Sequence, residues 1–252
     1  MRQKLIITDL TQMPSGDEAC VVGINEKGQT IRPVHDKGFL KRYLYQNSKL
    51  IIFPRAIVEF DLIEARPQPP HIEDVSFNPA YIKFCGKYDD KHWENILLTN
   101  SFSTMDAMYE GNLRYDKWVA PGTNTRSIAT LSNTCNHSFA IEAGRAPKPR
   151  LHFRESSDKE FNLPVSDLAI RELCYSKVKR KGESTEYVVE KLNKSLAQVR
   201  SVYLRIGLAR PYKPVGAEIE HCYLQITGIH TIPDYLHGKT FADFADPTQR
   251  YY

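Results

Sequence analysis

Few residues in this 252-residue chain have the type and spacing that chemistry demands. Cys135-Asn136-His137 and His221-Cys222 are its only close cysteine–histidine pairs. Neither has the two-to-four-residue gap and the second ligand pair that tetrahedral zinc requires. Glu59 and Asp61 invite a magnesium reading, but they alternate with Val58, Phe60 and Leu62, which is the simpler signature of a half-buried strand with a solvent face. No Gly-x-Ser-x-Gly elbow, Gly-x-Gly-x-x-Gly turn or Walker-type Gly-Lys-Ser/Thr occurs, so neither an activated nucleophile nor a phosphate-cradling loop announces itself. The expectation is a protein without catalytic residues, metal or cofactor.

A binding surface is better signalled. In Arg150-Leu151-His152-Phe153-Arg154, burying Leu151 and Phe153 turns Arg150, His152 and Arg154 to the other face. In Val202 to Ala209 the same logic sends Tyr203 and Arg205 outward, with Gly207 leaving room for close approach. In Cys222 to Thr227 the outward set is Tyr223, Gln225 and Thr227. A sheet face that mixes arginine, tyrosine and amide groups suits single-stranded nucleic acid, because rings stack on bases and guanidinium groups neutralise phosphate. The bland alternative is that long polar side chains simply cover apolar sheet surface.

Charge points to the same half. Residues 1–145 hold 17 Lys and Arg against 17 Asp and Glu, residues 146–213 hold 15 against 8, and residues 214–252 hold 2 against 5. The net +4 therefore conceals a +7 stretch able to steer a polyanion. Within that stretch lie Lys177, Lys179, Arg180 and Arg210. Hydrophobic residues at 41% and charged residues at 25% fit a globular chain. No apolar run is long enough for a bilayer or a secretory signal. Five separated cysteines, odd in number, favour reduced thiols and a cytoplasmic home.

The elements that would position these residues begin as β-structure. Leu5–Leu10, Ala19–Asn25 and Gln29–Val34 read as strands, the last two joined in a hairpin through Gly28. Gly38–Lys49 reads as a short helix and Leu50–Ala65 as strand broken at Pro54. Pro67-Gln68-Pro69-Pro70 opens a poorly patterned region with helices around 89–98 and 103–110. Strands resume at Ser127–Leu131, Ser138–Glu142 and Arg150–Arg154. Ala146-Pro147-Lys148-Pro149 is a stiff connection and the expected domain seam. A helix follows, N-capped by Ser166 and stopped by Lys179-Arg180-Lys181-Gly182. Helical spacing recurs through Val189, Leu192, Leu196 and Val199, and then period two returns in Val202–Leu208 and Cys222–Ile226. Ala65-Arg66-Pro67 and Ala209-Arg210-Pro211 match, but about two such coincidences are expected by chance, so they establish no duplication.

Ala19 to Val34 (ACVVGINEKGQTIRPV) resembles the opening of the prokaryotic dual OB-containing domain family. Similar stretches follow in order: Pro149–Phe153 leading into Leu163-Pro164-Val165-Ser166-Asp167-Leu168, then Leu204-Arg205-Ile206-Gly207-Leu208-Ala209-Arg210-Pro211, then Leu224-Gln225-Ile226-Thr227-Gly228-Ile229. Ser166 and Ala209 stand where threonine is expected; Phe77–Asn124 matches nothing nameable. The resemblance implies a mainly β chain of two OB-like β-barrels packed in tandem, with nucleic-acid binding as the inferred activity and no catalytic residue to carry over.

Two expected units follow. Residues 1–145 form the first barrel, with a helical insertion around 85–112. Residues 146–252 form the second, with helices around 166–181 and 187–199. Arg150, Arg154, Lys177, Lys179, Arg180 and Arg210 are expected to hold phosphates together with Arg205, while Tyr203 and Tyr223 stack on bases. The other reading is a protein-interaction subunit of a larger prokaryotic assembly, such as a defence or mobile-element system. A nuclease or nucleotide hydrolase ranks third, since it needs carboxylates the sequence does not assemble.

Overall fold

A computed structural model describes residues 1–142 and 144–246. Strand makes up 44% and helix 17%, so the chain is mainly β. Five strands build the first barrel: β1 (Arg2–Gln12), β2 (Glu18–Asn25), β3 (Thr30–Val34), β4 (Ala56–Ala65) and β5 (Asp74–Lys87). β1 pairs antiparallel with both β2 and β4, β4 with β5, and β2 with β3. The parallel pairing of β3 with β5 closes the ring in the order 1-2-3-5-4-1. Alternation fills the lumen with Leu5, Ile7, Val21, Val58, Phe60 and Phe77. Glu59 and Asp61 stay on the outer face, where Glu59 accepts from the Tyr81 hydroxyl and Asp61 sits 3.3 Å from the N-terminal amine.

The second half uses β6 (Ile128–Leu131), β7 (Cys135–Glu142), β8 (Lys148–Arg154), β9 (Glu160–Pro164), β10 (Ser201–Leu208) and β11 (Cys222–Ile232). β7, β8 and β9 form one antiparallel sheet, and β6, β10 and β11 another. β6 and β7 are consecutive and separated by a bend at Asn133, whose φ of 57° is left-handed. Taken as one broken first strand, they give the second half the same cyclic order. Its parallel closing contact shrinks to the single bridge Val165–Ile226. The result is a closed barrel followed by a half-barrel, the tandem OB-like arrangement. The two Ala-Arg-Pro triplets fall at matching places, each at the end of its ring's fourth strand.

Helices α1 (Trp93–Leu98) and α2 (Met105–Met108) lie between the two rings in sequence, while α3 (Leu168–Tyr175) and α4 (Thr185–Leu196) join the third and fourth strands of the second. Several elements differ from expectation. The 38–49 region holds no α-helix but a 3-10 turn at Lys41–Leu44 flanked by the two-residue strands Phe39–Leu40, Tyr45–Gln46 and Lys49–Leu50. β5 and β9 carried no clear signal, because β5 is largely exposed beyond Phe77 and β9 is only five residues long. The cap of α3 is Asp167, which accepts from the Ile170 amide at 3.0 Å, while the Ser166 hydroxyl donates to the Ile226 carbonyl. After α3 the chain widens into a π turn at Ser176–Arg180 before Gly182.

The expected seam at 145/146 does not divide the sheet pairing. β6 pairs with β10, Trp118–Val119 pairs with β11, and Met105, Met108 and Tyr109 belong to the second core. Pro147 lies in the short connection between β7 and β8 and Pro149 inside β8, opposite Ile141, so stiffness there marks a loop and strand start within one sheet.

The rings meet through a polar seam. Asp9 of β1, fully buried, accepts from the Arg205 Nε at 2.9 Å and from the hydroxyls of Thr8 and Thr227 at 2.6 Å each. Arg205 also donates to the Thr130 hydroxyl at 3.0 Å. The Glu73 carboxylate accepts from the Ser127 amide and hydroxyl and the Ile128 amide at 2.6, 2.8 and 3.3 Å. Arg205 and Tyr203 therefore do not face solvent: Arg205 is 0% exposed, and Tyr203 is buried with its hydroxyl on Glu94 at 2.5 Å. β10 has aliphatic side chains on its core face, and its other face lies against the first ring and its following helix instead of water.

His230 occupies the same seam, bonded to the Thr8 carbonyl at 2.8 Å and edge-on to Trp93. Burial pushes its imidazole down to about 4, against the opposing pull of Asp9. An unfolded histidine titrates near 6.5, so the unfolded chain takes the proton first and stability falls as pH drops from about 6.5 toward 4. Thermal melts at pH 7 and pH 5 are expected to show a loss that His230→Gln reduces by about 1.4 kcal/mol per pH unit below 6.5.

Candidate nucleic-acid interface

The β2–β3 hairpin turns at Gly28, whose φ of 76° suits a residue without a Cβ. Asn25 fastens the turn by accepting from the amides of Lys27 and Gln29. This places Arg32 on the outer wall of β3, directly beside Asp74 in the parallel register with β5. The Arg32 Nε donates to Asp74 at 2.5 Å, and Arg210, arriving from the end of β10, donates to the other carboxylate oxygen at 2.7 Å. Two guanidinium groups from different rings thus share one buried carboxylate.

They border a cleft of about 560 Å³ between the β2–β3 face and the second ring. Cys20, Arg171, Gly207, Gln225 and Thr227 also border it. Gly207 is required there, because a Cβ would come within 2.7 Å of the Thr227 methyl. Arg171 donates to Gln12 at 3.3 Å and forms no ion pair among the described residues. Arg32 has an 8% exposed side chain, and one of its terminal nitrogens is buried without a hydrogen-bond partner. The local field is positive: burial, reinforced by the Arg32 and Arg210 charges, holds the neighbouring His71 imidazole far below its ordinary value. In an OB barrel, the strand 2–3 face and the 1–2 and 4–5 loops are the ligand-bearing surface.

The cleft continues into a strip of rings. Along β11, Thr227 and Gln225 border the cleft and Tyr223 follows at the next outward position. The Tyr223 hydroxyl is 2.9 Å from His221 Nδ1. His221 in turn stacks on Trp118, with centroids 3.8 Å apart and planes 8° from parallel. Tyr115, 83% exposed, lies 6.4 Å from Trp118. Such faces accept bases whatever their identity.

The nine residues read from sequence do not converge. Arg210 and Tyr223 meet at this cleft and strip. Arg150 and Arg154 lie on β8, the second strand of the second ring, paired with Glu142 at 3.3 Å and Glu160 at 2.8 Å. Asp158 stands 3.9 Å from Arg154, so that face carries more carboxylate than guanidinium. Lys177 pairs with Glu183 at 2.9 Å, Lys179 donates to the Gly144 carbonyl at 3.1 Å, and Arg180 donates to the Phe244 carbonyl. Tyr203 and Arg205 are inside.

Arg32, Arg171, Trp118 and His221 are not among the sequence-expected contacts: Arg32 stands in the charge-balanced half, and Arg171 lies in the basic stretch but on a helix, where strand alternation gives no signal. Arg32 was nonetheless within Ile31-Arg32-Pro33-Val34, and Arg210 within the matching Arg-Pro of Ala209-Arg210-Pro211. Among the described residues no group of three or more histidine, cysteine, aspartate or glutamate side chains is placed to hold a metal ion. Among the described residues no helix is long and apolar enough to cross a membrane.

A search of curated proteins finds no match to this sequence. The family model described as the dual OB-containing domain matches residues 5–229, which takes in all but the outermost ends of the two rings and every residue of the cleft. With that span and the repeated ring order, the chain belongs to the dual OB-containing domain family.

Proposed function

We propose that the protein binds single-stranded nucleic acid, with phosphates at the Arg32–Arg210 pair and Arg171 and bases on Tyr223 and the Trp118–His221 stack. The observation that carries this is the union of two guanidinium groups on one carboxylate at the floor of a cleft that opens onto aromatic faces. Charge-assisted contacts of that kind hold phosphate, and stacking tolerates any base. The family's OB-type fold is consistent with this ligand class. Gln225, between the arginines and Tyr223, is placed to donate to or accept from a base edge. Lys177, Lys179 and Arg180 contribute to the long-range attraction, whereas Arg150 and Arg154 lie on a face whose carboxylates outnumber their guanidinium groups.

The test is a titration against single- and double-stranded DNA and RNA at two salt concentrations. Single strands are expected to bind more tightly, with affinity falling linearly on a log–log salt plot. Tyr223→Ala is expected to cost about 1–3 kcal/mol of binding. A flat salt response, or full affinity in that variant, overturns the reading. Retention of a protein partner with no nucleic acid bound would favour the interaction-subunit alternative.

A further inference from the structure

We infer that the cleft receives the end of a strand, its arginines holding a terminal phosphate monoester; this rests on the binding reading above. The charge balance changes along the seam, from a surplus of one cation to none, with Arg171 shared between the two recesses. In the cleft, Asp9 is neutralised by Arg205, which leaves Arg32, Arg171 and Arg210 against Asp74 and Glu18. On one side the cleft opens onto Tyr223, His221 and Trp118. On the other, beyond Gln12 and Arg171, lies a second recess of about 580 Å³. There Lys41, Arg171 and Arg180 are matched by Asp17, Glu172 and Asp246. The Tyr175 ring in that recess is 45% exposed, with the Arg180 guanidinium 5.8 Å from its centroid. A polyanion continuing in that direction meets no surplus of cations. The favourable track therefore runs one way, outward from the arginines along β11.

The arginine site also suits a dianion better than a diester. Arg32 keeps a buried terminal nitrogen without a partner, although its neighbour Asp74 already accepts from two guanidinium groups. A phosphomonoester brings close to two negative charges and three acceptor oxygens at neutral pH. An internal phosphodiester brings one charge and two such oxygens, and its chain must leave the cleft on both sides.

The experiment compares oligothymidylates of about ten nucleotides carrying a 5′-phosphate, a 3′-phosphate or hydroxyls at both ends, with a circular single strand as competitor. One phosphorylated strand is expected to bind at least about tenfold more tightly than the hydroxyl-ended strand, and which one reports the strand's direction. Arg210→Met, at a side chain that is 41% exposed, is expected to bring that ratio to about one, and Arg171→Met to lower it. Tyr223→Ala is expected to weaken both strands while keeping the ratio. Equal affinity for all three linear strands overturns the inference and leaves the binding reading intact. So does a circular strand that competes as well as a phosphorylated linear one. If no strand binds, both fall.

Discussion

Asp9→Ala is expected to destabilise the protein by about 3–5 kcal/mol, the usual consequence of leaving a buried charge without its partner. Arg205 is sealed between the rings, and among the described residues Asp9 supplies its only carboxylate. The alanine also strips the Thr227 hydroxyl of an acceptor, while one Arg205 nitrogen already lacks one. Equilibrium denaturation in urea would read the loss as a lower midpoint. The double variant Asp9→Leu with Arg205→Met is expected to recover much of it, because replacing both partners removes the uncompensated charge. A single variant as stable as the parent protein would mean the seam does not hold the rings together.

Changing Arg32 and Arg210 together to alanine should have the largest effect on binding. A hydrogen bond to a charged group is worth about 1.5–3 kcal/mol, so the pair should cost two to four decades of affinity for single strands. Removing two phosphate contacts should also lower the magnitude of the log–log salt slope by about 1.4. That second readout separates a lost contact from a damaged fold, since a partly unfolded population lowers apparent affinity without changing the slope. Asp74→Asn tests the same pair from the other side: it removes the negative charge shared by both guanidinium groups, and affinity should rise provided the cleft keeps its shape.

The alternation rule worked where one face of a strand looks to water. On β4 it put Glu59 and Asp61 outside, as found, and of Tyr223, Gln225 and Thr227 on β11 the first two are outward while Thr227 is buried at the seam on Asp9. On β10 the same rule turned Arg205 away from the core correctly, yet what lies on that side is β1 of the other ring. Period two cannot distinguish solvent from a second polar surface. Ion pairing was equally hidden: Arg150 meets Glu142 through the β7–β8 pairing, and Lys177 meets Glu183 only because the chain folds back after the π turn. Basic residues close in sequence therefore read as a surplus that the folded chain largely neutralises. Arg32 shows the converse, since it stands in a charge-balanced half and acquires its role only when Arg210 arrives from the other ring.

The clasp of Glu73 on Ser127 and Ile128, together with the Asp9 network, has a mechanical consequence. Five buried charged or polar side chains, Asp9, Glu73, Ser127, Arg205 and Thr227, would have to be torn from their partners before one ring swung against the other, so the seam resists hinging. The gap between Arg32 and Arg210 is fixed before any ligand arrives. Recognition there is a matter of fit to a rigid gauge, and the conformational adjustment falls on the incoming molecule.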